Sequence, residues 1–197
     1  TREIIDTLEY KYPNIIRKIY HSENIGPYEN YKSAHHAARG EYVAHCDGDD
    51  FWYPNKLRKQ VSVLDGDIDI VQCWTFANIV DDYGNVKKLF PSRFAKTLYP
   101  NIISAEDIVT SYALVGQHST QLYRKSARKI NDKEFFLDYW IAFNLSVSGK
   151  SIYLKEVLSA YRVTSQPSLT RNKNPKKPAV DYLSLHLYEI AKKHPQY

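Results

Sequence analysis

Methionine is missing from the chain altogether, and cysteine occurs only twice, at Cys46 and Cys73. With no initiator residue, and with Thr1-Arg2-Glu3-Ile4-Ile5-Asp6 already reading as a helix turn capped by Thr1, sequence is expected to precede Thr1. Two cysteines cannot supply the four ligands of a structural zinc site. Both lie in apolar, strand-like runs, so they are expected to be buried small hydrophobes in a reducing, cytoplasmic compartment rather than a disulfide framework. No apolar run approaches the roughly 18 residues of a membrane span, and no signal-peptide pattern opens the chain. A peripheral contact at the inner face of a membrane is left open, as is oligomeric state. No internal repeat is present.

At 197 residues the chain has room for one domain with a proper core, or a domain plus an appended lobe. Its 43% hydrophobic and 25% charged residues are ordinary for a globular protein. A net charge of +5 and a pI near 9.0 suit an anionic ligand, a membrane surface or nucleic acid. The basic residues are scattered, however, and the densest cluster, Lys173-Asn174-Pro175-Lys176-Lys177, reads as a solvated linker, so a nucleic-acid partner is not expected. Seventeen tyrosines include candidate sugar-stacking platforms, although most should be half-buried packing residues.

Ile4, Ile5 and Leu8 recur at helical spacing up to Pro13, and Ile15 to Tyr20 is apolar and β-branched, a strand signal. After a turn-rich loop, Tyr31, Ala34 and Ala38 share a helical face, with Gly40 placed as the C-terminal cap; His35 and His36 are expected to be partly exposed and inert. Tyr42 to Cys46 reads as a strand, Pro54 as the first residue of a helix burying Leu57, Val61 and Leu64, and Ile68 to Phe76 as a strand followed by a turn at Asp81-Asp82-Tyr83-Gly84-Asn85. Strand and helix thus alternate through about the first 80 residues, the pattern of a largely parallel α/β sheet with ligands beyond the carboxyl ends of its strands. Residues 87 to 104 read as a mobile loop that selects the acceptor, and Val115 to Tyr123 as a strand carrying Gln117-His118-Ser119. A helix from about Phe135 to Ser148 buries Leu137, Ile141 and Leu145. Ile152 to Leu154 and Val157 to Tyr161 are short strands. Residues 163–178 form a linker, and an amphipathic helix presents Val180, Leu183, Leu187 and Ile190.

The strand at Tyr42 runs into Asp47-Gly48-Asp49-Asp50, three carboxylates within four residues. Such acids repel one another and are costly to desolvate without a cation or a hydrogen-bonding partner. A calcium-binding EF-hand loop starting at Asp47 fails, because Phe51, Trp52 and Arg58 stand where a ligand, a glycine and a glutamate are required. An aspartyl phosphatase is weakened by Phe51, where a hydroxyl or β-branched residue is expected. An acidic turn capping the following helix needs only one of the three acids.

Asn24-Ile25-Gly26, then Ala38-Arg39-Gly40-Glu41-Tyr42-Val43, then Asp47-Gly48-Asp49-Asp50-Phe51-Trp52-Tyr53-Pro54-Asn55-Lys56-Leu57, strongly resembles family 2 glycosyltransferases. The resemblance extends from the first helix to about residue 162 and implies a GT-A fold: a Rossmann-like mixed, mostly parallel sheet flanked by helices. It further implies an inverting enzyme using a nucleotide-sugar donor, in the first instance a UDP-sugar, with Mn²⁺ or Mg²⁺, and a hydroxyl acceptor on a surface polysaccharide, lipid-linked glycan or similar. Thr1 falls just after the family's first strand and its Asp-containing base-binding loop, so that strand and part of the nucleotide pocket are expected to lie before residue 1. The glycosyltransferase domain is taken as residues 1–162, followed by the linker at 163–178 and a terminal helix at 179–197.

By the same resemblance Asp47 and Asp49 are ligands of the metal or contacts of the donor, with Asp50 completing or orienting the shell, and Asn24 and Gly26 belong to the donor site. An inverting transfer needs a base to take the acceptor's proton. Asp138 aligns with the family's second acid, eleven residues before Gly149, while Leu137 replaces the usual glutamate and leaves Asp138 the sole candidate. Its alternative is a helix N-terminal charge favoured by the dipole. Tyr161-Arg162 resembles the family's closing Tyr-Arg, which makes Arg162 a diphosphate contact, although the histidine that often follows is absent. His118 is a candidate for the acceptor side or the metal, and Trp52 and Trp140 for sugar stacking. A non-catalytic nucleotide-sugar-binding domain is the alternative from another class.

Overall fold

The chain folds as two units, Thr1–Arg39 and Gly40–Tyr197. The computed structural model describes residues 1–92, 97–111, 114–130, 138–163 and 178–197, without the side chains of residues 178–183. Leu137 and residues 164–177 of the linker expected at 163–178 fall outside them.

The first unit holds two helices, α1 (Arg2–Lys11) and α2 (Gly26–Ala37). Thr1 occupies the cap position of α1 without a side-chain bond. The expected strand at Ile15 to Tyr20 does not form. A strand needs a neighbour for its N–H and C=O groups, and this unit contains only helices; the segment is tied to α1 instead by Lys18, whose Nζ lies 2.8 Å from both Asp6 Oδ1 and Glu9 Oε2. The Asn24 carboxamide accepts the Gly26 N–H at 2.9 Å, closing a turn into α2. Gly26 has φ +79°, a conformation costly for other residues. α2 ends three residues before Gly40, with Ala38 extended at its cap. Tyr31 and His35 are its buried residues, so His35 is not the exposed histidine expected.

The second unit is built on a seven-stranded mixed sheet, β1 (Tyr42–Ala44), β2 (Phe51–Trp52), β3 (Ile70–Val80), β4 (Val86–Phe90), β5 (Ile102–Ile103), β6 (Leu122–Arg124) and β7 (Lys150–Arg162). The spatial order is β1-β6-β3-β7-β2, with β4 on β3 and β5 on β7. β3 and β7 pair in parallel, and the other described pairings are antiparallel, so the sheet is less parallel than expected. β7 replaces the two short strands foreseen around residues 152–161; register shifts against β3 near Thr75–Ala77 mark where the pattern looked broken. β3 is buried over most of its length, which explains its continuous apolar run.

Helix α3 (Lys56–Gly66) starts two residues after Pro54, because Asn55 takes a left-handed conformation with φ 70°. Its buried positions are Lys56, Gln60 and Leu64 rather than Leu57, Val61 and Leu64, and Leu57 is exposed. α4 (Ala105–Thr110) opens on a capping box from Ser104 and Asp107. α5 (Asp138–Ser148) is apolar on nearly every side and correspondingly buried. α6 (Pro178–Lys193) buries His186 and Ile190, while Leu187 stays exposed. Trp74, Phe76, Ile103, Ile108, Trp140, Phe143 and Ile190 form the principal core. Residues 87–104, expected as one loop, include β4 and β5. Of the cysteines Cys73 is buried and Cys46 is exposed, since β1 stops two residues short of it. Among the described residues no helix is long and apolar enough to cross a membrane.

Candidate functional site

The acidic loop joins β1 to the two-residue β2, and its shape is set by backbone bonds. Asp50 N–H donates to Asp47 O at 3.1 Å, closing a turn. Asp47 N–H donates to Ser119 Oγ at 3.0 Å. Arg162, at the end of β7, holds the loop from the other side: its N–H donates to Asp50 Oδ1 at 2.9 Å and its Nε to Asp49 O at 2.9 Å. Its Nη1 reaches Asp81 O and Asp82 O, each at 2.8 Å. Arg162 therefore staples the acidic loop to the β3–β4 turn, work unforeseen for a residue expected to contact diphosphate.

The three carboxylates differ. Asp47 and Asp49 are exposed, whereas Asp50 turns inward, and burial raises its pKa against the bond from Arg162 N–H. Among the described residues no three of His, Cys, Asp or Glu converge on one point, so the cluster is not a ready-made cage. Asp50 is correspondingly a poor ligand. Asp47 and Asp49 offer hard, solvent-facing oxygens, the donor set of an ion that takes one or two protein carboxylates and completes its shell with phosphate oxygens and water.

His118 does not lie on a strand. It opens a 3₁₀ turn, His118–Thr120, just before β6. Its Nδ1 is 3.7 Å from Asp47 Oδ1, an ion-pair distance rather than a hydrogen bond. Its ring stacks on His45 with centroids 4.0 Å apart, and His45 Nε2 lies 3.2 Å from the Tyr123 hydroxyl. Burial alone would lower the His118 pKa, but Asp47 and the nearby Asp138 charge reverse that and hold it above the ordinary value. Burial raises the Asp138 carboxyl, with the His118 charge opposing and Asp47 adding to the rise. Asp138 begins α5 and His118 lies between the influence of the two acids, so the late acid and the acidic loop meet across this histidine.

Trp52 is half-buried; its Nε1 donates to Ser119 O at 2.8 Å, and Lys56 Nζ stands 4.4 Å from its ring centroid. Trp140 is a correction. It is 4% exposed and packs against His186 of α6 at 5.4 Å, inside the core, and is not available to a sugar. Asn24 and Gly26 belong to the first unit, where they form the turn into α2. Sequence reasoning missed Ser119, whose two oxygens hold Asp47 and Trp52, and His45; the run Gln117-His118-Ser119 stood out but was assigned to a strand.

The family model for Glycosyl transferase family 2 matches residues 1–135. An uncharacterized protein of Mycobacterium tuberculosis is 30% identical over 166 residues, covering 82% of this chain and 46% of the relative. An uncharacterized glycosyltransferase of Methanocaldococcus jannaschii is 27% identical over 197 residues, covering 98% of this chain and 65% of the relative. One of Nostoc sp. is 29% identical over 178 residues, with 83% and 52% coverage. The chain thus spans about half to two thirds of the length of these relatives. The crystal structure of S. aureus TarS 1-349 shares the fold at a TM-score of 0.57 and 13% identity, over 81% of this chain and 48% of that one.

Proposed function

Because the chain belongs to glycosyl transferase family 2, we propose that it carries the catalytic part of an inverting transferase. In this reading it moves a sugar from a UDP-sugar to a hydroxyl of a polysaccharide or lipid-linked glycan, with residues 1–162 as the domain, 163–178 as a linker and 179–197 as a terminal helix. The observation that carries the proposal is the meeting of Asp138 with Asp47 across His118. One acid is exposed at a strand end, suited to a phosphate-bound cation. The other is partly desolvated, suited to accept a proton.

Asp138 takes the proton of the acceptor hydroxyl as that oxygen attacks the anomeric carbon. The bond from that carbon to the diphosphate oxygen breaks with inversion, and the nucleoside diphosphate leaves with the electron pair. Asp47 and Asp49 would hold Mn²⁺ or Mg²⁺, whose charge offsets that of the leaving diphosphate. Ser119 and Arg162 fix the loop that presents these acids, and His118 sets the charge between them. Trp52 borders the same loop.

The test is turnover of a panel of UDP-sugars with Mn²⁺ by the intact gene product. Asp138→Asn should lower turnover about 10²–10⁴-fold while UDP still binds. Equal turnover in that variant removes Asp138 from the role of base. A wild-type protein that binds UDP but turns over no donor would favour the non-catalytic alternative.

A further inference from the structure

Lys56 begins α3 and is 1% exposed, one of the most buried side chains of the protein. Among the described residues no carboxylate pairs with it; the titratable groups that face it are the thiols of Cys73 on β3 and Cys46 after β1. An ammonium buried without a counter-ion weakens a fold, and an apolar side chain of the same length would serve the core better. Packing therefore does not account for it.

Its contacts lead in one direction. Nζ donates to Gln60 Oε1 at 2.7 Å and stands 4.4 Å from the Trp52 ring centroid. Gln60 Nε2 donates to Thr120 O at 2.9 Å and to Cys73 O at 2.7 Å. Trp52 Nε1 donates to Ser119 O at 2.8 Å, and Ser119 Oγ receives the Asp47 N–H at 3.0 Å. Two arms, one through an indole and one through a carboxamide, run from a single ammonium to the turn that carries the acidic loop. We propose that Lys56 is a positioning residue whose buried ammonium fixes, through Trp52 and Gln60, the His118–Thr120 turn on which Asp47 rests. A cation over an indole face sets the tilt of the ring, and here that tilt aims the N–H that anchors Ser119. The inference deepens the transferase reading and takes its ligand from it.

Burial lowers the Lys56 pKa to about 8, so the ammonium is lost near that pH. Burial raises both facing thiols, Cys73 to about 11, and they stay neutral through that step. The sign for stability follows. A folded-state pKa below the unfolded one means that charged Lys56 costs stability below about pH 8, a cost that fades as pH rises toward the unfolded value.

The test uses ¹⁵N-labelled protein, the indole N–H resonance of Trp52, and UDP with Mn²⁺ as probe. In the wild type the resonance should move with a midpoint near pH 8, and UDP affinity should fall over the same interval. Lys56→Met should be folded and no less stable at neutral pH, with a flat Trp52 resonance and UDP binding weakened about 10-fold. A wild-type resonance without a step between about pH 7 and 9, or Lys56→Met binding UDP as tightly as wild type, overturns the proposal. Should that variant fail to fold, the wild type decides: different midpoints for resonance and affinity overturn it. A wild type that binds no UDP while its resonance steps sinks the transferase reading and leaves the coupling standing.

Discussion

Replacing Arg162 by methionine separates two roles that the sequence merges. The guanidinium makes three bonds to main-chain carbonyls, to Asp49 O at 2.9 Å and to Asp81 O and Asp82 O at 2.8 Å each. A bond from a charged donor contributes about 1.5–3 kcal/mol when dry, but two of these carbonyls lie at exposed positions where water replaces the donor, which leaves about 0.5–1 kcal/mol each. The drier bond to Asp81 O and the two exposed ones sum to about 2.5–5 kcal/mol, which corresponds to a fall of about 5–20 °C in Tm for a chain of this size. Methionine keeps the stem packed and leaves the main-chain bond from residue 162 to Asp50 Oδ1 intact. Thermal unfolding of Arg162→Met without ligand should show that fall, and UDP with Mn²⁺ should still raise its Tm, by less than in the wild type. If the unliganded variant melts with the wild type while UDP no longer stabilises it, the arginine serves the diphosphate and the staple is incidental. That result would refute the structural assignment.

Other perturbations read other parts of the molecule. If Asp138 is the base, turnover should rise with pH through a midpoint above the ordinary carboxylate range, because burial raises its pKa and only the ionised form accepts a proton; a pH-rate profile checks this. A Cβ on Gly116 would sit 2.4 and 2.5 Å from Trp74 ring atoms and 2.8 Å from the Tyr153 hydroxyl. Gly116→Ala should therefore cost about 1–3 kcal/mol, a Tm drop of about 2–12 °C by calorimetry. Arg124 is buried and donates to Ile70 O at 3.1 Å, to Glu41 Oε1 and the Tyr42 hydroxyl at 3.0 Å each, and to Leu64 O. Arg124→Met leaves the buried Ile70 O and Leu64 O without this donor, an expected loss of about 2–6 kcal/mol by denaturant unfolding.

Short-range patterns carried much of the fold. The acidic cluster at a strand end, the Asp81–Asn85 turn and the buried α5 each announce themselves through composition over a few residues. What failed to show was pairing. Ile15 to Tyr20 has the residues of a strand and no neighbour in its unit, and periodicity cannot report a missing partner. The face of α3 was misjudged for a related reason. Counting apolar residues selects Leu57, Val61 and Leu64, while burial follows Lys56, Gln60 and Leu64, two of which are polar: Lys56 donates to Gln60, and Gln60 donates to the carbonyls of Cys73 and Thr120 in distant segments.

The candidate site divides along the same line. Asp47, Asp49, Asp138 and Arg162 are legible because charged side chains at strand ends and helix starts demand an explanation where they stand. Ser119 and Lys56 are not, since a serine is common and a lysine is assumed to be solvated. Yet Ser119 anchors both Asp47 and Trp52, and Lys56 braces the turn that carries Ser119. Carboxylates chosen for chemistry repel one another, so the loop bearing them cannot stabilise itself and must be held by groups outside it. Arg162 holds one side at the end of β7 and Ser119 the other before β6. Removing Ser119 Oγ alone, as in Ser119→Ala, should therefore weaken UDP–Mn²⁺ binding more than it lowers Tm, because the serine supports an assembly of acids that folding by itself does not require.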